Sequence, residues 1–372
     1  MNIIKNITDL LASQDIQKKH VLRDSLHASK VYIWGAGNAG AQTLDLLEKM
    51  NISIEGFIDR RASAMATYVN KPVFSVNDSG LDIENTGNCF IVIAFLCGYQ
   101  QLNDLRQWLA VMNYKSSCYY QDIYTLTITD EYTANKIHTN YKDQILQVAD
   151  TLVDEISQGV FRSFINAVLH GNCDLFAEPV DKQYFVEDIL FKKGYSHFVD
   201  CGAYNGDTAL ALKQYKGLVQ KIALFEPDTN NFKALCDNLR NSRVATEEIL
   251  FPCGVWSQTK LLSFKSGSKD ISSLSEDGDI FVQCVAMDDV IRDFSPTFIK
   301  MDIEGAEFDA LLGAEKIIKQ YKPDLAISVY HRIQDMWEIP LLIKKFNPDY
   351  RLYLRCHGVH GVETILYATS DK

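Results

Sequence analysis

The feature that most constrains this chain is a strand, a glycine turn and a helix, written twice. Val31 to Trp34 reads as a short apolar strand, Gly35-Ala-Gly-Asn-Ala-Gly40 as a turn, and the residues up to Met50 as an amphipathic helix. Phe198-Val-Asp-Cys-Gly-Ala-Tyr-Asn-Gly-Asp-Thr208 repeats the plan and runs into the helical pattern ALALKQY. Further strands alternate with helices after each turn. In the first half these are ISIEGFI ending near Asp59, KPVFSVND, CFIVIAF over Cys89–Phe95, a helix over Leu102–Met112 and a strand-like stretch near Lys115–Tyr120. Such alternation points to parallel, doubly wound α/β sheets.

The alternation lapses over 130–195, where polar helical patterns dominate, and restarts at Ser196. The second run is SHFVD, KIALFE, EILFPCGVW, FVQCVAMDDVI, PTFIKMDIE, a helix over Ala306–Ile318 and DLAISVY, closing on a hairpin, YRLYLRCHG with ETILYATS. The expected organisation is two tandem doubly wound α/β domains, 1–125 and 196–372, joined by a helical connector over 126–195. A length of 372 residues suits two or three domains at about 150 residues each.

Composition narrows the function classes. Apolar residues are 47% and charged residues 23%, ordinary globular values that argue against disorder and coiled coil. Thirty-seven basic against 48 acidic residues give a net charge of −11, opposite to the basic excess of a nucleic-acid-binding surface. Nine cysteines form no CxxC pair, and several sit inside apolar strands, the pattern of free thiols in a reducing compartment. The N-terminus carries no secretory pattern, and the longest apolar run, Cys89 to Cys97, is half of the ~20 residues a membrane span needs. The expectation is a cytoplasmic protein with a small-molecule substrate, no nucleic-acid partner and no transmembrane segment; self-association to a homo-oligomer is left open.

The second turn carries the stronger chemistry. Gly202 and Gly206 permit a ligand to approach the backbone, and the helix start at Asp207 and Thr208 offers free N–H groups to a carboxylate. One strand later, Leu224-Phe225-Glu226-Pro227-Asp228 places Glu226 at a strand's carboxyl end, where an acid can take both hydroxyls of a ribose. S-adenosylmethionine has a ribose diol, an amino-acid end and no phosphate, which this pattern suits. The expected cofactor residues are Asp200, Gly202, Tyr204, Asn205, Gly206, Asp207, Thr208, Glu226 and Asp302; a generic dinucleotide turn, or glycines serving packing alone, is the plainer alternative. Asp302 follows another strand, PTFIKM, within a charged stretch that includes Lys300, Glu304 and Glu307.

These blocks resemble a known family. FVDCGAYNGDT, LFEPD and above all FIKMDIEGAE are similar to the signatures of the FkbM family of S-adenosylmethionine-dependent methyltransferases, and the resemblance runs over roughly 180–372. It implies a seven-stranded Rossmann-like sheet with an antiparallel last strand, and O-methylation of sugars, lipids or small metabolites. No NPPY- or DPPY-like tetrapeptide marks N-methylation. A hydroxyl is a poor nucleophile at neutral pH, so a base or a metal would help it. Asp302 is the first candidate for a catalytic carboxylate, although it could instead hold the cofactor's amino group. His331, after DLAISVY, is the candidate general base by its ordinary pKa of about 6.5. Asp302, Glu304 and His331 could hold a divalent metal, but no compact ligand motif supports one. Arg332, Trp337 and Arg355 are candidates to line a sugar pocket. The other histidines, His20, His27, His138, His170, His197, His357 and His360, are less well placed.

The first turn is a GxGxxG in its proper context, with Asp59 about 20 residues on, the position of a ribose-binding acid. Gly35, Gly37, Asn38, Gly40 and Asp59 are the candidate nucleotide-binding residues, with Arg60 and Arg61 beside them. The run VYIWGAGNAG, GFIDRR and KPVFSV resembles N-terminal nucleotide-binding domains of bacterial sugar-modifying enzymes, which implies a nucleotide-sugar or NAD-like ligand. The function expected of the whole is O-methylation of a sugar, nucleotide-sugar or glycan precursor, as in polysaccharide biosynthesis. The alternative is a non-catalytic nucleotide-sugar-binding or cofactor-sensing protein. A bifunctional NAD-dependent enzyme ranks lower, lacking a YxxxK pair near the first turn.

Overall fold

In a computed structural model the protein is described at residues 3–12, 19–77, 80–81, 88–95, 97, 99–114, 116–131, 137, 139–170, 175–264 and 280–371. The chain divides into two compact units. Unit 1 takes Met1–Lys142, Arg162–Pro179 and Gly358–Gly361; unit 2 takes Asp143–Phe161, Val180–His357 and Val362–Lys372. The segment 126–195, expected as one connector, is thus shared between them. It holds the helix Lys142–Thr151 and the helix Glu155–His170, and irregular chain over the described residues 175–196.

Unit 1 contains β1 (Lys30–Trp34), β2 (Ile54–Ile58), β3 (Thr67–Tyr68), β4 (Lys71–Phe74), β5 (Val76–Asn77), β6 (Gly80–Leu81), β7 (Cys89–Ile93) and β8 (Ser116–Tyr119). The main sheet has the order β3-β4-β2-β1-β7-β8, parallel throughout except for the edge strand β3. The central strands β1 and β7 are apolar and buried at nearly every position because both faces are covered there. Val31, Ile33, Phe57 and Val92 pack with Leu44 and Leu47 of the helix Asn38–Lys49, while Tyr32, Trp34, Ile91 and Ile93 pack with Leu102 and Leu109 of the helix Tyr99–Val111.

Unit 2 contains β9 (His197–Cys201), β10 (Val219–Phe225), β11 (Ala245–Phe251), β12 (Gly254–Val255), β13 (Lys260–Phe264), β14 (Ile280–Val285), β15 (Phe298–Met301), β16 (Asp324–Ser328), β17 (Arg351–Cys356) and β18 (Thr364–Thr369). Seven of these form one sheet, β11-β10-β9-β15-β16-β18-β17, and β18 is antiparallel to both of its neighbours. The reversed last strand and the terminal hairpin are as the sequence led us to expect. A small sheet, β12-β14-β13, accompanies it. The strand order turns outward from β9 to β10 on one side and to β15 on the other, and ligands of doubly wound folds bind outside the carboxyl ends at such a point.

Two local details shape this unit. The helix expected over Ala306–Ile318 is two helices, Glu307–Leu312 and Glu315–Tyr321. Asp288 interrupts it: its amide donates to the Gly313 carbonyl, and its carboxylate accepts from the N–H groups of Lys316 (3.0 Å) and Ile317 (2.9 Å). Free N–H groups at a helix start need such a partner. Arg355, expected near substrate, is instead buried. Its guanidinium meets Asp154 and Asp188, each at 2.7 Å, and donates to Ser157 Oγ at 3.0 Å, so it fastens the segments at 154–157 and 188 onto β17.

Candidate active site

A cleft of about 1060 Å³ opens at the carboxyl ends of β9, β10 and β15. Of the residues expected to hold a cofactor, Gly202, Tyr204, Asp207, Thr208, Glu226 and Asp302 line it. Asp200, Asn205 and Gly206 stand behind this lining and shape it.

The turn after β9 is determined by close packing. Gly202 has φ +84°, and a Cβ there would collide with the Asp302 carbonyl oxygen, so neither its conformation nor its surroundings admit a side chain. The amides of Gly202 and Ala203 both donate to the Phe225 carbonyl, which locks the turn to the end of β10. Gly206 caps the helix Asp207–Lys216 from the left-handed region. Asn205 receives Asn238 Nδ2 on its carbonyl at 2.8 Å.

Glu226 emerges where β10 ends and is oriented by backbone. One carboxylate oxygen accepts the Tyr204 N–H at 2.9 Å and the other the Asp228 N–H at 2.8 Å. Burial pushes its pKa up, opposed by these amides and by Asn231. Asp228 in turn caps the helix Thr229–Asn241 through the amides of Asn230 and Asn231.

Beneath the turn lies a buried ion pair. Register places Lys300 of β15 directly opposite Asp200 of β9, and Lys300 Nζ lies 2.9 Å from Asp200 Oδ1. The ammonium also donates to the Gly202 carbonyl at 2.7 Å. Burial pushes Asp200 up to about 6 despite its partner, whereas Asp200 and Asp302 hold Lys300 above its ordinary value against the effect of burial. Asp200 is therefore a support of the turn, with no exposed surface for a ligand to touch.

Asp302 sits just past β15 and reaches the cleft. It accepts hydrogen bonds from Tyr184 Oη and Ser328 Oγ, each at 2.9 Å, and from Tyr330 Oη at 3.3 Å. Burial would raise its pKa, but Lys300, His331 and these hydroxyls hold it below the usual carboxylate range. His331 approaches from behind, with Nε2 3.6 Å from Asp302 Oδ1 and 3.7 Å from Glu304 Oε2, and Nδ1 2.9 Å from Glu307 Oε1. Burial disfavours its charge, yet the surrounding carboxylates of Glu307, Asp302 and Glu304 raise its pKa to about 9. The imidazole does not itself line the cleft.

Other expected residues lie elsewhere. Arg332 pairs with Asp335 at 2.7 Å, and Trp337 is wholly buried core. His357 is held by the Val180 carbonyl and Tyr367 Oη, and His360 packs edge-on against Tyr119 within unit 1. His138 lies outside the described residues. Sequence reading missed Tyr184, Tyr330 and Glu363, all of which line the cleft. Tyr184 comes from irregular chain that shows no periodicity. Glu363 comes from the last hairpin's loop, where the histidines had drawn attention.

In unit 1 the first turn has its expected form. Gly35 has φ +127° and a Cβ there would strike the Ala94 carbonyl oxygen; Gly40 packs onto Gly35, and Gly37 precedes the helix that begins at Asn38. Asp59 accepts the Ala36 amide at 2.9 Å and is gripped by Arg61, whose Nε and Nη2 both lie at 2.8 Å. That contact, chiefly, lowers its pKa to about 2.

The seven-stranded order with a reversed β18, the glycine turn after β9 and the acid at the tip of β10 define unit 2 as a doubly wound fold of the methyltransferase class. Residues 200–359 match the family model of the methyltransferase FkbM domain, so the chain carries an FkbM methyltransferase domain and is by that domain a methyltransferase. The crystal structure of a methyltransferase FkbM from Methylobacillus flagellatus KT shares the fold, with a TM-score of 0.72 at 23% identity over 97% of this chain and 96% of that one. A precorrin-6y C5,15-methyltransferase from Geobacter metallireducens GS-15 aligns over 47% of this chain and 79% of its own, at 10% identity and a TM-score of 0.30. No curated protein sequence matches the chain. Among the described residues, no helix is long and apolar enough to cross a membrane.

Proposed function

We propose that this protein is an S-adenosylmethionine-dependent O-methyltransferase acting on a hydroxyl of a sugar, nucleotide-sugar or glycan precursor. The observation that carries the reading is Glu226, a carboxylate fixed by two backbone amides beside a glycine turn that excludes any side chain. An ionised carboxylate has about four acceptor positions, so one oriented by two amides can still accept from a ribose diol. The cofactor supplies, when bound, a methyl group on a sulfonium that departs as a neutral thioether while the acceptor oxygen takes the methyl and gives up its proton.

The chain's own residues account for the rest. Gly202, Tyr204, Asp207 and Thr208 would flank the donor, and Glu226 would set its ribose. Asp302, the carboxylate of the inner cleft, would orient the acceptor hydroxyl and take its proton; a weak base suffices because that proton grows acidic as the new bond forms. Positioning then supplies much of the rate. Tyr184 and Ser328 hold Asp302 in place, and His331 supports it from behind. Gln183, Tyr330, Glu304 and Glu363 give the cleft a polar rim suited to a polyol. In unit 1, Gly35, Gly37, Asn38 and Gly40 would seat the phosphates of a nucleotide, while Asp59 could meet a ribose only by giving up Arg61.

Calorimetry with S-adenosylmethionine tests the pocket. Glu226→Ala should weaken binding at least about ten-fold, since a hydrogen bond to a charged group contributes about 1.5–3 kcal/mol; unchanged affinity removes the assignment. Labelled-methyl transfer to a panel of free sugars and nucleotide-sugars tests the acceptor, and silence with every member rejects that class.

A further inference from the structure

One polar cluster beside the cleft is left half satisfied. His331 presents Nδ1 to Glu307 Oε1 at 2.9 Å, and that same oxygen accepts the Ile303 N–H at 2.8 Å. Glu307 is fully buried and the His331 side chain is only 10% exposed. A carboxylate behind one ring nitrogen fixes the ring's orientation, as it does for metal-binding imidazoles, and turns the other nitrogen toward a ligand.

His331 Nε2 and Glu307 Oε2 are buried and have no hydrogen-bond partner among the described residues. Nε2 lies 3.6 Å from Asp302 Oδ1 and 3.7 Å from Glu304 Oε2, beyond hydrogen-bond reach. A pair of donors so spaced can share one ion at bond lengths of about 2.0–2.2 Å. Asp302, Glu307 and His331 each offer a ligand atom, all within 4.8 Å of one another. Three carboxylates thus converge on one imidazole, a surplus of negative charge that a divalent ion would neutralise better than a single proton.

We propose that His331 Nε2, Asp302 and Glu304 bind a divalent transition-metal cation, with Glu307 as the carboxylate behind the imidazole. One nitrogen with two carboxylates suits manganese or zinc better than magnesium or calcium, which prefer oxygen alone. Asp302 and Glu304 both line the cleft, so the ion faces it and an open position can take an acceptor's hydroxyl oxygen. That use of the site rests on the methyl-transfer reading above; the cation site itself does not.

The test uses the full chain, stripped with chelator and titrated calorimetrically with manganese, zinc and magnesium chlorides, with electron paramagnetic resonance following the manganese. One manganese or zinc ion per chain, bound more tightly than magnesium, is the expected result. His331→Ala should abolish binding. Glu304→Gln should weaken it about ten-fold or more, and with that side chain 74% exposed the change is tolerated by the fold. Failure of every cation to bind, or equal binding by both variants, overturns the proposal. A parallel titration with S-adenosylmethionine keeps the two readings apart. A donor that binds where no cation does sinks only the metal site; a cation that binds where no donor does sinks only the methyl-transfer reading.

Discussion

At the scale of single residues, the site depends on charges that never meet solvent. Lys300 is the clearest example, since it neutralises Asp200 and pins the Gly202 carbonyl with one ammonium group. Removing one member of a buried pair strands the other, at a cost of about 3–5 kcal/mol. Lys300→Met should therefore lower the denaturant midpoint steeply, and the double variant Asp200→Asn/Lys300→Met should regain part of the loss. An additive double variant would show that the two groups are not coupled. Some of this was legible in the sequence. The acid at the tip of LFE and the glycines of DCGAYNG were identified by their places relative to strands, and the structure puts Gly202 and Glu226 in one cleft. The burial of Asp200 was not legible, because whether a strand-end acid faces a ligand or a lysine depends on the register of β9 against β15. Nor was the company His331 keeps, because Glu304 and Glu307 reach it only through the turn after β15.

At the scale of elements, alternation recovered the central strands of the two large sheets, since β1, β7, β9, β15 and β16 are short runs buried almost throughout. What it missed came from contacts distant in sequence. The division of the helix falls at Gly313, which caps the first helix and is its one local mark, while the partner of the second helix's first amides, Asp288, comes from a separate short helix, Met287–Val290. Asp288→Ala should free two helix-start amides and cost about 0.5–2 kcal/mol, the range for loss of a helix cap; guanidinium unfolding measures it, and an unchanged midpoint would mean water serves those amides equally well. Arg355 teaches the same lesson. A basic residue in a terminal strand reads as a candidate ligand-binding group until Asp154 and Asp188 are found around it.

At the scale of the whole molecule, stability should respond to mild acid through His357. Its Nδ1 faces the Val180 carbonyl, which can only accept, so Nδ1 carries the proton and Nε2 accepts from Tyr367 Oη. Burial pushes its pKa below the ordinary value. The unfolded imidazole takes up its proton near pH 6.5, so the stabilisation is complete above that pH and is lost as pH falls below it toward the depressed folded value. Melting followed from pH 7.5 to 5.5 should show a larger decline for the wild type than for His357→Gln; parallel curves would assign the decline to other groups. The interleaved division of the chain has a practical outcome for anyone cutting the gene. A fragment stopped at Lys142 forfeits Arg162–Pro179 and Gly358–Gly361, which belong with it, and the complementary fragment carries both as passengers. Neither half can be expressed intact from one continuous reading frame, so shuffling one domain onto another scaffold requires grafting three separate stretches of polypeptide.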